Sequence, residues 1–453
     1  MKIIASLTFL ITVIMAQGLQ AQDTTAMKST TFQVTFFTPL GTNGLHSGMI
    51  TNEISLNLLA GYAGGLNGVE FSGLGSVLKG NMTGVQFSGL GSIVKGNMAG
   101  VQFSGLGSIV LKETKGVQFS GLFNFGKGKV KAAQFAGLVN AGVSDVNAAQ
   151  FAGLANINRG KMKGFQASGL ANINNGTMKG FQASGLANIN TGKMKGCQVS
   201  GLANIHPDTI KGFQLTGLVN YARGFKISQV SGFANIVSGN NNGFQLAGFV
   251  NINSGRLSGT QVAGLLNYTG KLKGVQVGVF NVVDSLENGV PLGFLSFVRN
   301  GYTALEIGSS ESLYGVVSFK TGTKKFYNIL SVGGGYREGY SLFAWGYGLG
   351  AFIPLSRTTG LSIDGICYQV NEGEWFTQRL NLLNKMNITA SWQIAPHLSI
   401  FGGLSWNVTV SDVTDEYGDP VAPHIAPYAL FDEVYDDHLN VKMYPGISAG
   451  IRL

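Results

Sequence analysis

Cysteine, proline and charge are all scarce in this chain, and each scarcity removes a class of protein. The two cysteines, Cys197 and Cys367, stand where regular patterns otherwise carry apolar residues, so neither a disulfide framework nor a thiolate metal site is indicated. Nine prolines in 453 residues exclude collagen and a proline-rich disordered chain. Only 12% of residues are charged. The five histidines, at 46, 206, 397, 424 and 438, show no metal-ligand spacing. No segment after the N-terminus reaches the length of a transmembrane helix, so a membrane location would have to be that of a β-barrel. Nucleophile elbow, P-loop and dinucleotide fingerprint are missing in any proper context.

What is abundant is glycine, 68 residues, together with 29 phenylalanines. That combination suits β-structure with tight turns rather than a helical globule. Length alone would allow about two or three domains. Lys2 followed by the apolar run 3–16 reads as an export signal, with Leu19-Gln20-Ala21 as a loosely fitting cleavage site. The mature chain is then expected to begin near Gln22, outside the cytoplasm.

The dominant feature is repetition. GFQASGLANINNGTMK, beginning at Gly164, is followed by GFQASGLANINTGKMK. Gln recurs at 86, 102, 118, 134, 150, 166, 182, 198, 214, 229, 245, 261 and 276, in steps of sixteen apart from two irregular gaps, and Glu70 holds the same slot one copy earlier. Asn follows six residues after most of them, as at 156, 172, 188 and 204, while the earliest copies carry Ser76, Ser92 and Ser108 there. Fourteen copies fill residues 68–283, and so strict a period means a repeat architecture.

Within a copy, Phe165, Ala167, Gly169, Ala171 and Ile173 alternate with Gln166, Ser168, Leu170, Asn172 and Asn174, a strand pattern punctuated by turn dipeptides such as Asn175-Gly176. No copy can fold alone, so neighbours must complete it. Two architectures fit. In a β-solenoid each copy is one coil, identical positions stack at about 4.8 Å, and the Gln and Asn amides form hydrogen-bonded ladders. Gly169 would then mark a corner. In the alternative each copy is one barrel strand, with Gln, Ser and Asn facing a wet lumen. The ladder explains the strict identity, so the solenoid is the expectation. Its structural rungs are Gln86, Gln102, Gln118, Gln134, Gln150, Gln166, Gln182, Gln198 and Gln214, with Asn156, Asn172, Asn188 and Asn204.

Charge is sorted along the chain. Residues 71–273 carry 19 Lys or Arg against three acids, Glu113, Asp145 and Asp208, so no acid–base pair for glycan cleavage can be assembled there. Lys115, Lys131, Lys163, Lys179, Lys195 and Lys211 share one slot and would form a row on a solenoid. Such a row reads either as a solvated edge that deters sheet-to-sheet association or as an anion-binding stripe for lipopolysaccharide or acidic glycans. Nucleic acid is not expected, since no aromatic platform accompanies the row.

After residue 283 the composition changes: all four Trp lie beyond residue 300. Met386, Ile388, Ala390, Trp392 and Ile394 alternate with polar residues, Pro396-His397 turns, and Leu398 to Val410 alternates again before an acidic loop, 412–440. Further strands are expected near 302–307, 313–319, 326–334, 340–353, 361–370 and 446–453. Long strands with short turns at one end and long loops at the other describe an outer-membrane barrel or meander, with a soluble sandwich as the alternative. Strands near 31–37 and 53–62, within an N-terminal segment 22–67, are expected to join this C-terminal sheet. DVTDEYGD, 412–419, has oxygen ligands suited to Ca²⁺, though an exposed acidic loop is the plainer reading.

Runs such as GVQFSGLGSIV, GFQASGLANIN and GVQVGVFNVV resemble the Gly-Val-Gln-x-Gly-Leu-x-Asn-type repeats of bacterial surface-repeat outer-membrane proteins. GVPLGFLSFVRNGYTALEI, 289–307, resembles that family's exit from its repeats, and SLNLLAGYAGGLNGVEFSG, 55–73, extends the likeness toward the N-terminus. The extra residue between Gln and Asn in most copies departs from the shorter pattern, which survives at Gln276–Asn281. The resemblance implies a Gram-negative outer membrane or cell surface and carries no catalytic or cofactor residues. The expectation is a non-enzymatic, cofactor-free protein, structural, adhesive or ligand-presenting, with outer-membrane lipid or lipopolysaccharide, a glycan or a surface protein as partner. A porin-like channel is the alternative.

Overall fold

The computed structural model is all-β, 72% strand and 1% helix, with a β-solenoid of about 15 parallel turns followed by an antiparallel nine-stranded sheet. It describes residues 27–413, 424–436 and 438–453. The export signal at 1–21, and all but the first two residues of the 412–419 motif, lie outside these. The chain forms two compact units, Met1–Gly164 and Phe165–Leu453.

In the first unit each copy is one coil of two strands. Met82–Ser88 and Gly91–Val94 are joined by a corner at Gly89-Leu90, and the turn 95–97 leads to the next coil. Strands pair in parallel with like residues opposite: Gln86 with Gln102, Phe87 with Phe103, Ser92 with Ser108. The repeats are therefore solenoid coils and not the barrel strands of the rival reading. The corner needs glycine, because a Cβ on Gly89 would stand 1.9 Å from the Gly73 carbonyl oxygen. Within the corner the alternation changes phase. Leu90 points out, as does Leu170 in the second unit, whereas unbroken alternation had put Leu170 on the side of Gln166.

The N-terminal strands belong to this solenoid and not to the C-terminal sheet. Lys28–Phe37 pairs in parallel with Ile50–Ala63, which in turn pairs with Gly65–Ser72 and Gly75–Leu78. The reason is chemical. Gln33, Asn52, Ser55 and Asn57 are buried and supply polar groups of the kind the coils carry inside. Asn43 and Asn52 both donate to the side-chain Oε1 of Gln33 and close the polar core at this end.

The second unit continues the same coil design through Leu295–Val298, one coil past the last Gln copy. Its final strands are held by the C-terminal sheet. Asn328 accepts from the Ser296 amide at 2.9 Å and donates to the Gly293 carbonyl at 2.7 Å, Thr321 donates to the Ser296 carbonyl, and Phe294 stacks on Tyr347.

That sheet closes on itself. Eight strands run up and down: Tyr302–Ser310, Gly315–Thr323, Phe326–Arg337, Tyr340–Pro354, Thr359–Glu372, Asn381–Ala395, Leu398–Ser411 and Leu439–Arg452. The last pairs with the first, Arg452 opposite Glu306 and Ser448 opposite Ser310. The ninth strand, Phe431–Tyr435, extends the sheet only where the last strand rises past the first. Closure excludes the two-sheet sandwich. The connections at one end, 324–325, 355–358 and 396–397, are all short, while 311–314, 338–339 and the longer 373–380 lie at the other, the end at which the chain leaves Ser411 and re-enters at Leu439.

One coil breaks a local rule. The residue two before the Gln is glycine with positive φ in many copies, +142° at Gly196 and +158° at Gly212, but in the shortened fifteen-residue copy Ile227 holds that slot at φ +124°. A β-branched residue there stores strain on the order of 1–3 kcal/mol, and its side chain is exposed, so little packing offsets it. Ile227→Gly should therefore stabilise the protein by roughly 1 kcal/mol after the entropic cost of glycine. The urea midpoint measures this, and an unchanged or lowered midpoint would contradict it.

Candidate functional surface

A buried primary amide has two N–H donors and one acceptor oxygen, and leaving them unpaired costs about 1–3 kcal/mol for each group. In the coils the ladder partners come from the adjacent copy. In the first unit, Gln102 donates to Gln86 and Gln118 to Gln102, each at 2.8 Å; Gln134 donates to Gln118 at 2.8 Å and Gln150 to Gln134 at 2.7 Å. In the second unit the same bonds join Gln182 to Gln166, Gln198 to Gln182 and Gln214 to Gln198, and continue through Gln276 to Gln261. All of these glutamines are fully buried.

The asparagine ladder runs the other way. Asn124 donates to Asn140, and in the second unit Asn172 donates to Asn188, Asn188 to Asn204 and Asn204 to Asn220, each at 2.9 Å. The second N–H of each goes to a backbone carbonyl eleven residues on, Asn188 to Val199 and Asn204 to Leu215. A carbonyl only accepts, so it fixes which way every Asn amide points. Gln donors thus face the N-terminal end and Asn donors the C-terminal end, and the two rows of amide dipoles oppose each other. Asn156 stands in the same row, opposite Asn140.

Two positions put a titratable group among the amides. Glu70 occupies the first Gln slot and accepts from Gln86 at 2.8 Å. Burial pushes its carboxyl above the ordinary range, partly offset by hydrogen bonds from Ser76 and Gln86. His206 occupies a third inward row, after Asn174 and Asn190, and burial holds its imidazole below the ordinary value.

The lysines lie outside. Lys179, Lys195, Lys211 and Lys226 are opposite one another on successive coils, and among the described residues no carboxylate comes within ion-pair range of them. In the first unit Lys115 and Lys131 are neighbours bridged by Glu113, at 3.4 and 2.7 Å. The Lys131 hydrogen bond holds that carboxyl below its usual range. Lys163 is exposed in the same slot.

Beside the lysines the outer surface is apolar, which the sequence pattern had not sorted into inside and outside. The corner residues Leu170, Leu186, Leu202, Leu218, Phe233 and Phe249 are 43–49% exposed. In the first unit Phe71, Phe87, Phe103, Phe119, Phe135 and Phe151 form a stack with ring centroids 4.9–5.0 Å apart. The coils are thus polar within and apolar without near their corner.

The barrel has the same inversion. Glu306 pairs with Lys320 at 2.8 Å and with Arg452 at 2.6 Å, Lys320 pairs with Asp364 at 2.7 Å, and Tyr327 donates to Asp364. Glu311, folded in from the loop, accepts from Lys385 and Asn407, both at 2.9 Å. All these groups point inward, while Ile307, Phe319, Leu330, Trp345, Met386, Trp392, Leu404 and Ile447 point outward and are exposed. Sequence alternation shows one apolar face but cannot bring charges from four separate strands, Glu306, Lys320, Asp364 and Arg452, into one cluster.

These features define a class: a β-solenoid with amide ladders, joined to a closed eight-stranded barrel with an ionic interior. No protein-family model, curated protein or solved structure matches this chain.

Two predictions follow from the ladders. Gln182→Leu keeps the volume but leaves Gln166 and Gln198 each one partner short. It should lower the thermal midpoint of the whole chain, by about 2–4 kcal/mol in stability, while Lys179→Ala on the exposed row should not; equal midpoints for both variants and the parent would refute the ladder's energetic role. The titratable rungs give opposite pH signatures. Glu70 binds its proton more tightly when folded, so its contribution is full below the ordinary value of 4.5 and is lost as pH rises toward the raised one. Glu70→Gln should stabilise at neutral pH, with a gain that vanishes in acid. His206 binds its proton less tightly when folded, so stability present above 6.5 is lost as pH falls. His206→Asn should flatten that acid limb. Urea midpoints from pH 4 to 8 test both signs.

Proposed function

We propose that this is a non-enzymatic outer-membrane protein whose eight-stranded barrel crosses the bilayer and anchors the solenoid as a structural or ligand-presenting element. The observation that carries this reading is the barrel's inversion. Its ionised groups are paired inside and its outer wall is apolar, which is costly in water and favourable in hydrocarbon. Strands of 9–15 residues suffice to span when tilted. The outward polar groups Thr321 and Asn328 are the ones covered by the last solenoid coil. Export by the N-terminal segment and membership of the surface-repeat family are parts of the same proposal. The repeats hold almost no carboxylates, which supports a binding or structural role over glycan hydrolysis.

A channel is the less favoured reading. Its premise was a lumen lined by the repeats, and the repeats are coils. The barrel's own interior is filled by the ion pairs and by Tyr327, Tyr368, Ile329 and Tyr444, all buried. The space beside Glu306, Asp364 and Lys385 is about 50 Å³, room for a water or two. The protein should fractionate with the outer membrane, require detergent, and migrate differently on gels before and after boiling. Folded protein should give no conductance in planar bilayers. Full solubility without detergent would end the membrane proposal, and steady single-channel steps would revive the channel.

A further inference from the structure

We infer that the second unit's solenoid coils are themselves embedded in one leaflet of the bilayer, corner first, with the Lys179–Lys195–Lys211–Lys226 row at the anionic headgroups of phospholipids on the short-turn side of the barrel. The inference rests on the barrel reading above and adds a second membrane surface to it.

Four observations carry it. First, the coil is layered like the barrel wall. Gln182, Asn188 and Ser200 face in, and Phe181, Leu186, Ile189 and Val199 face out. A soluble solenoid gains nothing from an apolar skin over an amide core, whereas lipid rewards that arrangement. The exposed corner row, Leu170, Leu186, Leu202, Leu218, Phe233, Phe249, Val279 and Phe294, is contiguous from coil to coil apart from a half-buried Leu265, whereas exposed apolar residues on a soluble protein are normally scattered singly.

Second, the depth fits one leaflet and not a full bilayer. From Lys179 to the corner at Gly185 is six residues, about 20 Å of strand. Half of a hydrocarbon core of about 30 Å is about 15 Å. The lysines therefore reach the headgroup level when the corner is near the midplane.

Third, the charge is complementary. Four cations one coil apart, without acidic partners among the described residues, repel one another in water and are matched by anionic headgroups.

Fourth, the corner row meets the barrel's outer wall. Phe294, the last corner residue, stacks on Tyr347 at 4.5 Å, and Gly293 beside it binds Asn328. Tyr347 lies between outward Trp345 and Leu349 on the wall. If that wall lies in lipid, the corner row joins it at the same level. The chain leaves the last coil for Tyr302, at the end of the barrel where the short turns gather. In outer-membrane barrels short turns face the periplasm, so the leaflet is the inner one, made of phospholipid. The second unit's coils then lie on the periplasmic side, and the opposite end of the barrel, with 311–314, 338–339 and 373–380, faces outward.

The test uses the full chain reconstituted in vesicles. With Cys197→Ala and Cys367→Ala as background, an environment-sensitive dye is placed at Leu202→Cys on the corner, or at Thr191→Cys on the turn. The dye at 202 should be blue-shifted and quenched by lipids brominated on their acyl chains, and at least fivefold less accessible to aqueous iodide than the dye at 191. The shift should be larger with phosphatidylglycerol than with phosphatidylcholine alone, and Lys179→Gln, Lys195→Gln and Lys211→Gln together should abolish that difference. Equal iodide access at 202 and 191 overturns the inference. So does dye self-quenching that persists at the same level without lipid, which would mean that a second copy covers the corner. The barrel tryptophans are read in the same vesicles: their quenching by brominated lipid keeps the barrel proposal standing even if the corner fails, and its absence sinks both.

Discussion

Everything in the solenoid depends on the obligation of a buried amide to find partners. A carboxamide offers more hydrogen bonds than its own coil can satisfy, and the same group one strand spacing away completes the set. That is why the register between coils is like-on-like, Gln134 opposite Gln118 and Asn188 opposite Asn172. It is also why the copies hold their spacing so strictly. A one-residue slip would turn every inward amide out to the surface and every outward Phe or Leu into a polar core. The dry environment that makes an unpaired amide costly also strengthens the paired ones.

The same rule, polar groups satisfied internally beneath an apolar exterior, governs the barrel through different chemistry. There, two cations and two anions are assembled from separate strands: Glu306, Lys320, Asp364 and Arg452. Breaking such a set by removing one member leaves a buried charge uncompensated, typically 3–5 kcal/mol. Solenoid and barrel therefore share an orientation of polarity.

How much of this was legible follows from how far apart the partners lie. The ladder could be read from Gln and Asn because stacking identical residues is a periodic constraint, and periodicity survives in one dimension. The corner at Gly169 could be read as well. Its effect on Leu170 could not, since a bend resets the inside–outside phase and leaves no mark in an alternating pattern. The opposed polarity of the ladders was hidden because it depends on a backbone carbonyl, Val199 for Asn188, that any residue would supply. The place of the N-terminal strands in the solenoid is hidden because Gln33 and Asn52 serve the polar core from irregular spacing. Glu306 and Arg452 are separated by nearly the whole C-terminal sheet in sequence, and only closure makes them neighbours.

The opposed ladders leave the length of this molecule free to vary. A single row of aligned amides would accumulate a dipole with every added coil, and its ends would grow harder to terminate. With donors running one way along Gln and the other way along Asn, each inserted copy adds a pair that cancels. At the limits the partner changes: Glu70 accepts from Gln86 at the start of the Gln row, and Ser296 accepts from Asn281 at the finish of the Asn row. Duplication or loss of one sixteen-residue unit would then change the reach of the solenoid by about 4.8 Å while leaving its termini chemically unaltered, so unequal recombination between near-identical copies could reset the span of the protein without redesigning any contact in it.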